Sequence, residues 1–171
     1  MRTPAALVLR SGDADQTRAL AAVMAASCVA GDILLLAGDL GAGKTTFAQG
    51  FGVGLGIREP ITSPTFALVR HYPVDGGRPV RTLLHADVWR LDHLHEIVDL
   101  GLGQLVEDGA VALVEWGDAA EPVLGADALA VDLAPGGEES ERVITVRPAG
   151  ERWLARWDIL SAALDWWRSA S

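Results

Sequence analysis

At 171 residues the chain has the length of one domain with a single core, which excludes a multidomain machine. Half of its residues are hydrophobic and 22% are charged, a composition too apolar for a disordered chain. A net charge of -9 argues against a surface that wraps nucleic acid, because phosphate binding needs a positive patch, so any RNA is expected to be held by a partner.

The elements follow in order. Residues 5–10 read as a short strand, and residues 14–29 carry apolar side chains at helical spacing after the candidate caps Ser11 and Asp13. Charges at Arg10, Asp13, Asp15 and Arg18 interrupt this region, so neither a signal peptide nor a membrane span is expected. Cys28, the single cysteine, reads as a small buried hydrophobe in a reducing compartment, and the cytoplasm is the expected location. Gly31–Gly38 encloses an unbroken apolar run typical of a strand buried on both faces. A helix is predicted from the Gly43/Lys44 turn, with Phe47, Phe51 and Leu55 on one side. Thr65–Tyr72 and Val80–Val88 read as a hairpin around a turn at Asp75–Pro79. Residues 92–106 look helical with a break near Gly101 and Gly103, residues 110–115 form a second buried strand, and a loop runs through Pro122. A second hairpin pairs Leu129–Leu133 with Val143–Val146, and residues 151–168 read as one terminal helix. The expected fold is a single α/β P-loop NTPase domain over residues 1–150. Its central sheet is mixed and mostly parallel, with antiparallel hairpins and flanking helices, and residues 151–171 are a Trp-rich helix packed on the same domain.

The chemistry concentrates at Gly38-Asp39-Leu40-Gly41-Ala42-Gly43-Lys44-Thr45, a G-x-x-x-x-G-K-[ST] motif between an apolar strand and an amphipathic helix. Successive glycines let backbone N–H groups point at phosphate oxygens, and the helix N-terminus adds partial positive charge. Lys44 is the only lysine beside 13 arginines, and in this motif it reaches the β- and γ-phosphates while the Thr45 hydroxyl ligates Mg²⁺. Gly41, Ala42, Gly43, Lys44, Thr45 and Thr46 are therefore the expected nucleotide contacts. A Mg²⁺–triphosphate site calls for a carboxylate at the end of a neighbouring buried strand, and Asp87 and Glu115 both qualify. One would anchor the metal and the other orient the attacking water; the pattern leaves open which. Ser63-Pro64-Thr65 lies where a hydroxyl, Thr65 above all, could sense the γ-phosphate, or where a turn simply starts a strand. His85 alternates with Asp87 and either tunes the site or packs as a core histidine. Trp153, Trp157, Leu160, Leu164 and Trp167 repeat at helical spacing beside Trp166, either covering the sheet or leaving an aromatic patch for a partner.

The chain contains no asparagine and no second lysine, so it lacks the Asn-Lys-x-Asp element that reads guanine. The Ser-Gly-Gly signature of transporter ATPases is missing too. A P-loop kinase or phosphotransferase acting on a small molecule or a protein is the alternative class, although the arginine-dense lid common in such kinases is not apparent. Four blocks carry a resemblance: GlyAspLeuGlyAlaGlyLysThrThr at 38–46, SerProThrPhe at 63–66, HisAlaAspValTrpArgLeu at 85–91 and LeuValGluTrp at 113–116. In this order and spacing the chain resembles the TsaE (YjeE) family over about residues 5–150. The resemblance implies a bacterial ATPase that, with TsaD and TsaB, supports threonylcarbamoyladenosine synthesis at position 37 of tRNA. The transfer itself would belong to TsaD, tRNA would be met only indirectly, and no membrane would be involved. It further implies ATP and Mg²⁺ as cofactors, Thr45 and Glu115 as metal ligands, Asp87 and Lys44 in hydrolysis, and Trp116 beside the metal. Asp15 and Arg142 would take adenine-side positions, an arginine plane being suited to stack on a purine. Trp89 and Phe66 stand where the family usually has tyrosine.

Overall fold

The two apolar runs become neighbouring central strands because each buries side chains on both faces. In the computed structural model, which describes residues 2–64 and 68–168, these are β2 (Ile33–Ala37) and β5 (Ala110–Glu115). Together with β1 (Leu7–Ser11), β3 (Val69–Pro73), β4 (Thr82–Asp87), β6 (Leu129–Pro135) and β7 (Arg142–Pro148) they form one seven-stranded sheet of order β1-β7-β6-β2-β5-β4-β3. The β6-β2-β5-β4 centre is parallel, whereas β3-β4, β6-β7 and β1-β7 pair antiparallel, so both expected hairpins form. Thr65, Phe66 and Ala67 lie outside the described residues.

Alternation along β2 divides the core in two. Leu34 and Leu36 join the cluster under α1 (Ala14–Ala26) and α2 (Lys44–Leu55), and Ile33 and Leu35 join the one under α3 (Leu94–Asp99), α4 (Leu102–Glu107) and α5 (Gly117–Leu124). The α1 N-terminus is capped by Asp13, whose carboxylate accepts the Gln16 N–H at 2.8 Å. Helices α1 and α2 approach closely because α2 turns Gly50 and Gly54 toward α1. A Cβ at Gly50 would sit 2.2 Å from the Arg18 carbonyl oxygen, and one at Gly54 would sit 2.4 Å from that of Ala22.

Two expectations are corrected. Residues 117–124 are helical despite Pro122, because the segment docks on β2: a Cβ at Gly117 would lie 2.5 Å from Leu35 Cβ, and that packing outweighs one lost backbone bond. The terminal helix of residues 151–168 is not continuous; it divides into α6 (Glu151–Leu154), α7 (Trp157–Ala163) and a 3₁₀ turn at Asp165–Trp167. The break at Ala155–Arg156 lets Trp153, Trp157, Leu160 and Leu164 all bury in the first cluster while the Arg156 guanidinium reaches Asp32. Trp166, 72% exposed, stays outside. Cys28 is half-buried beneath this segment, and burial pushes its thiol well above the ordinary cysteine value, with the Asp32 carboxylate adding to the effect.

Candidate functional site

Parallel pairing of β2, β5 and β4 brings three strand ends to one edge, the place where open α/β sheets bind ligands. Asp87 pairs directly with Glu115, and Glu115 with Leu36, two residues before the loop that starts at Gly38. That loop requires its glycines. A Cβ at Gly38 (φ +149°) would lie 2.6 Å from the Leu133 carbonyl oxygen, and Gly43 (φ +104°) is the left-handed N-cap of α2. No side chain caps α2, so its first N–H groups face the loop.

Lys44 is the first residue of α2 and is buried, 8% exposed. Its ammonium donates to the carbonyls of Gly38 and Asp39 and stands 4.2 Å from the centre of the Trp116 ring. Trp116 is the only non-glycine residue with positive φ among those described (φ 60°), an arrangement that costs about 1–2 kcal/mol, and it directly precedes the close seat of Gly117 on β2. The Trp116 ring stacks on Trp89 at 5.8 Å between centroids. Trp89 is positioned by Asp87, whose carboxylate accepts the Trp89 N–H at 2.9 Å.

A cavity of about 380 Å³ is lined by Leu40, Gly41, Gly43, Lys44, Thr45, Thr46, Ser63, Asp87, Trp89, Glu115 and Trp116. The structure thus brings most of the expected nucleotide and metal residues to one opening. Ala42 is buried within the loop, and Thr65 lies outside the described residues. Arg142 also arrives from β7: its Nε donates to the Ala42 carbonyl at 3.0 Å, so it props the loop from behind, and it lines a cavity of about 130 Å³ with Ala14, Thr17, Gly43, Thr46 and Ser140. Asp15 lines neither cavity; its exposed carboxylate pairs with Arg18 at 3.0 Å. Trp89 and Leu40 are site residues that the motif reading did not place there. Proximity in sequence offers a signal for Trp89, which lies in the turn just after Asp87, the last residue of β4.

Glu115 is 3% exposed, and His85, fully buried, presents Nε2 3.5 Å from its Oε2. Burying a carboxylate is costly unless charge or hydrogen bonds compensate it, so one that lines a cavity is suited to a cation. Glu115 and the Thr45 hydroxyl supply two hard oxygens there, which fits Mg²⁺, an ion that takes few protein ligands and keeps water and phosphate oxygens for the rest. Among the described residues no group of three or more His, Cys, Asp or Glu forms a closed metal cage.

Residues 11–144 match the family described as "Threonylcarbamoyl adenosine biosynthesis protein TsaE". The chain belongs to the TsaE family. It is 41% identical over 144 residues to the tRNA threonylcarbamoyladenosine biosynthesis protein TsaE of Bacillus subtilis (strain 168), covering 84% of this chain and 87% of the relative. The TsaE protein of Streptomyces coelicolor is 44% identical over 128 residues, covering 72% of this chain and 84% of that one. Among solved structures, the crystal structure of Bacillus subtilis YdiB superposes with a TM-score of 0.75 at 35% identity, over 95% of this chain and 98% of that chain. Within the matched region, residues of 38–46, 85–91 and 113–116 line the larger cavity from the loop and the strand ends.

Proposed function

We propose that this TsaE-family chain is the Mg²⁺-dependent ATP-binding and hydrolysing subunit of tRNA threonylcarbamoyladenosine formation at A37, acting with TsaB and TsaD to support turnover of their complex. The observation that carries this reading is the convergence of Lys44, Thr45, Asp87 and Glu115 on one cavity at the N-terminus of α2. In this reading Lys44 exchanges its two carbonyl partners for β- and γ-phosphate oxygens, and the α2 N–H groups share their charge. Thr45 and Glu115 hold Mg²⁺, which when bound neutralises charge developing on the phosphates. Asp87, tied down by the Trp89 N–H, orients the water that attacks the γ-phosphorus. Trp116 shields the ammonium from water on one side.

Residues 1–150 act as the nucleotide-hydrolysing domain and residues 151–171 as its covering segment. The net charge of -9 suits a subunit that meets tRNA only through its partners. The cytoplasm is the proposed place of work; no helix among the described residues is long and apolar enough to cross a membrane. Threonylcarbamoyl transfer is assigned to the partner.

The test is phosphate release from ATP by the pure protein, alone and with purified TsaB and TsaD. A slow basal rate that rises on addition of the partners is the expected result. An unchanged rate with label appearing on a small or protein acceptor would replace this reading with a phosphotransferase.

A further inference from the structure

His85 stands out among the buried groups that the proposed chemistry leaves unused. It lies inside β4, shares a sheet face with Asp87 by alternation, and is 0% exposed. Its strand neighbours Leu83, Leu84 and Ala86 are all apolar and buried. Neither of its ring nitrogens has a hydrogen-bond partner among the described residues. A buried imidazole without partners is costly, and an aliphatic side chain would fill the same place without that cost. Among the described residues the charged group within reach is Glu115 on the adjacent strand, one step along the diagonal from the Asp87–Glu115 pair, with His85 Nε2 3.5 Å from its Oε2.

We propose that His85 is a positioning residue for Glu115: its Nε2, 3.5 Å from Oε2, backs the carboxylate from the core side and holds it in the rotamer that turns the other oxygen to the cavity. The inference rests on the reading of Glu115 as a Mg²⁺ ligand. A carboxylate at the end of β5 has several rotamers, and a metal ligand is effective only when one is selected before the ion arrives. Asp87 cannot take that role, because a carboxylate only accepts and its Oδ1 is already engaged by the Trp89 N–H. On the core side of the carboxylate, His85 is the group that stands within reach. The ring contacts neither nucleotide nor ion and acts only through Glu115.

The experiment titrates MgCl₂ into the full-length protein with a fluorescent ATP analogue and reads nucleotide binding, so it does not depend on turnover. His85→Gln places an amide nitrogen near the position of Nε2, and His85→Asn places it near Nδ1, where it does not reach Glu115. His85→Leu and His85→Asn are expected to raise the Mg²⁺ concentration at half-effect about 10-fold, the usual scale for loss of a group that orients a ligand. His85→Gln should stay within about 3-fold of wild type, and binding in EDTA should be equal in all four proteins. In a Glu115→Ala background, His85→Asn should produce no further shift. A shift of equal size in Gln and Asn, or none in Asn, would overturn the role of His85 while leaving the site intact. Wild-type binding indifferent to Mg²⁺ would overturn both the role and the reading beneath it. If His85→Leu does not fold, the comparison of Gln with Asn still decides the matter.

Discussion

Asp32 and Glu115 are buried carboxylates at opposite ends of the same parallel strands, 0% and 3% exposed, and they are treated in opposite ways. Asp32, just before β2, accepts the Val29 N–H at 2.7 Å and both nitrogens of the Arg156 fork at 2.6 and 3.0 Å, with Arg152 at 3.6 Å. Every strong direction around it is filled by the chain itself, and the Arg156 guanidinium in turn lies over Trp153 at 4.5 Å. Glu115 has His85 at 3.5 Å on the core side and a cavity on the other. A buried charge satisfied by its own protein clamps two segments together, whereas one left partly unsatisfied beside an opening is built for something from outside.

The contrast can be broken from either side. Arg156→Ala leaves Asp32 with the Val29 N–H and, as its one remaining cation, the more distant Arg152, and is expected to cost about 3–5 kcal/mol, read as a lower urea midpoint, while nucleotide affinity of the folded protein is unchanged. A loss of affinity instead would mean that the C-terminal clamp and the site are coupled. Glu115→Ala should do the reverse: hydrolysis falls on the order of 10²–10³-fold, ATP binding without Mg²⁺ persists, and the unfolding midpoint holds or rises. Asp87→Ala should slow hydrolysis similarly with ATP still bound, and wild-type rates in both variants would remove the carboxylates from the chemistry. Lys44→Ala should weaken ATP binding by at least about 100-fold, and full affinity in a folded variant would overturn the P-loop assignment.

The smallest effect belongs to a third carboxylate, on the surface. Glu96 accepts the N–H groups of Asp92 and His93 at 2.9 and 3.0 Å and completes the capping box of α3. The His93 N–H above all holds its carboxyl below the ordinary value. Because the folded pKa lies below the unfolded one, its contribution is present above the unfolded pKa and lost as pH falls through the folded pKa. Amide exchange in α3 should therefore quicken on acidification in wild type, and Glu96→Gln should flatten that dependence; an identical profile would remove Glu96 from the cap.

Much of the site was legible because its signal is local. The glycines, Lys44 and Thr45 are contiguous, and the strand and helix that flank them are set by composition and spacing within a few residues. Asp87 and Glu115 were legible as strand ends, but their direct pairing depends on β4 lying next to β5. The Asp32–Arg156 clamp spans 124 residues, and nothing near either residue announces it. The same clamp explains why a helical repeat of tryptophans becomes two helices and a turn: periodicity predicts which side chains face the core, whereas the break is set by what they must reach. Trp116 shows the point at one residue, since its left-handed backbone lies where the next residue, Gly117, seats against Leu35, a contact across two segments.

Sequence alone thus determined the family, the class of fold and the identity of the phosphate loop, because each rests on short-range pattern: unbroken apolar runs, glycine spacing, a solitary lysine. Tertiary structure decided the rest. It placed Lys44 under Trp116, joined Trp89 to the cavity, sent the Asp15 carboxylate to Arg18 instead of into either pocket, and brought His85 up to Glu115. These relations depend on strand order and on burial shared among segments far apart in the chain, and no local stretch of residues encodes either.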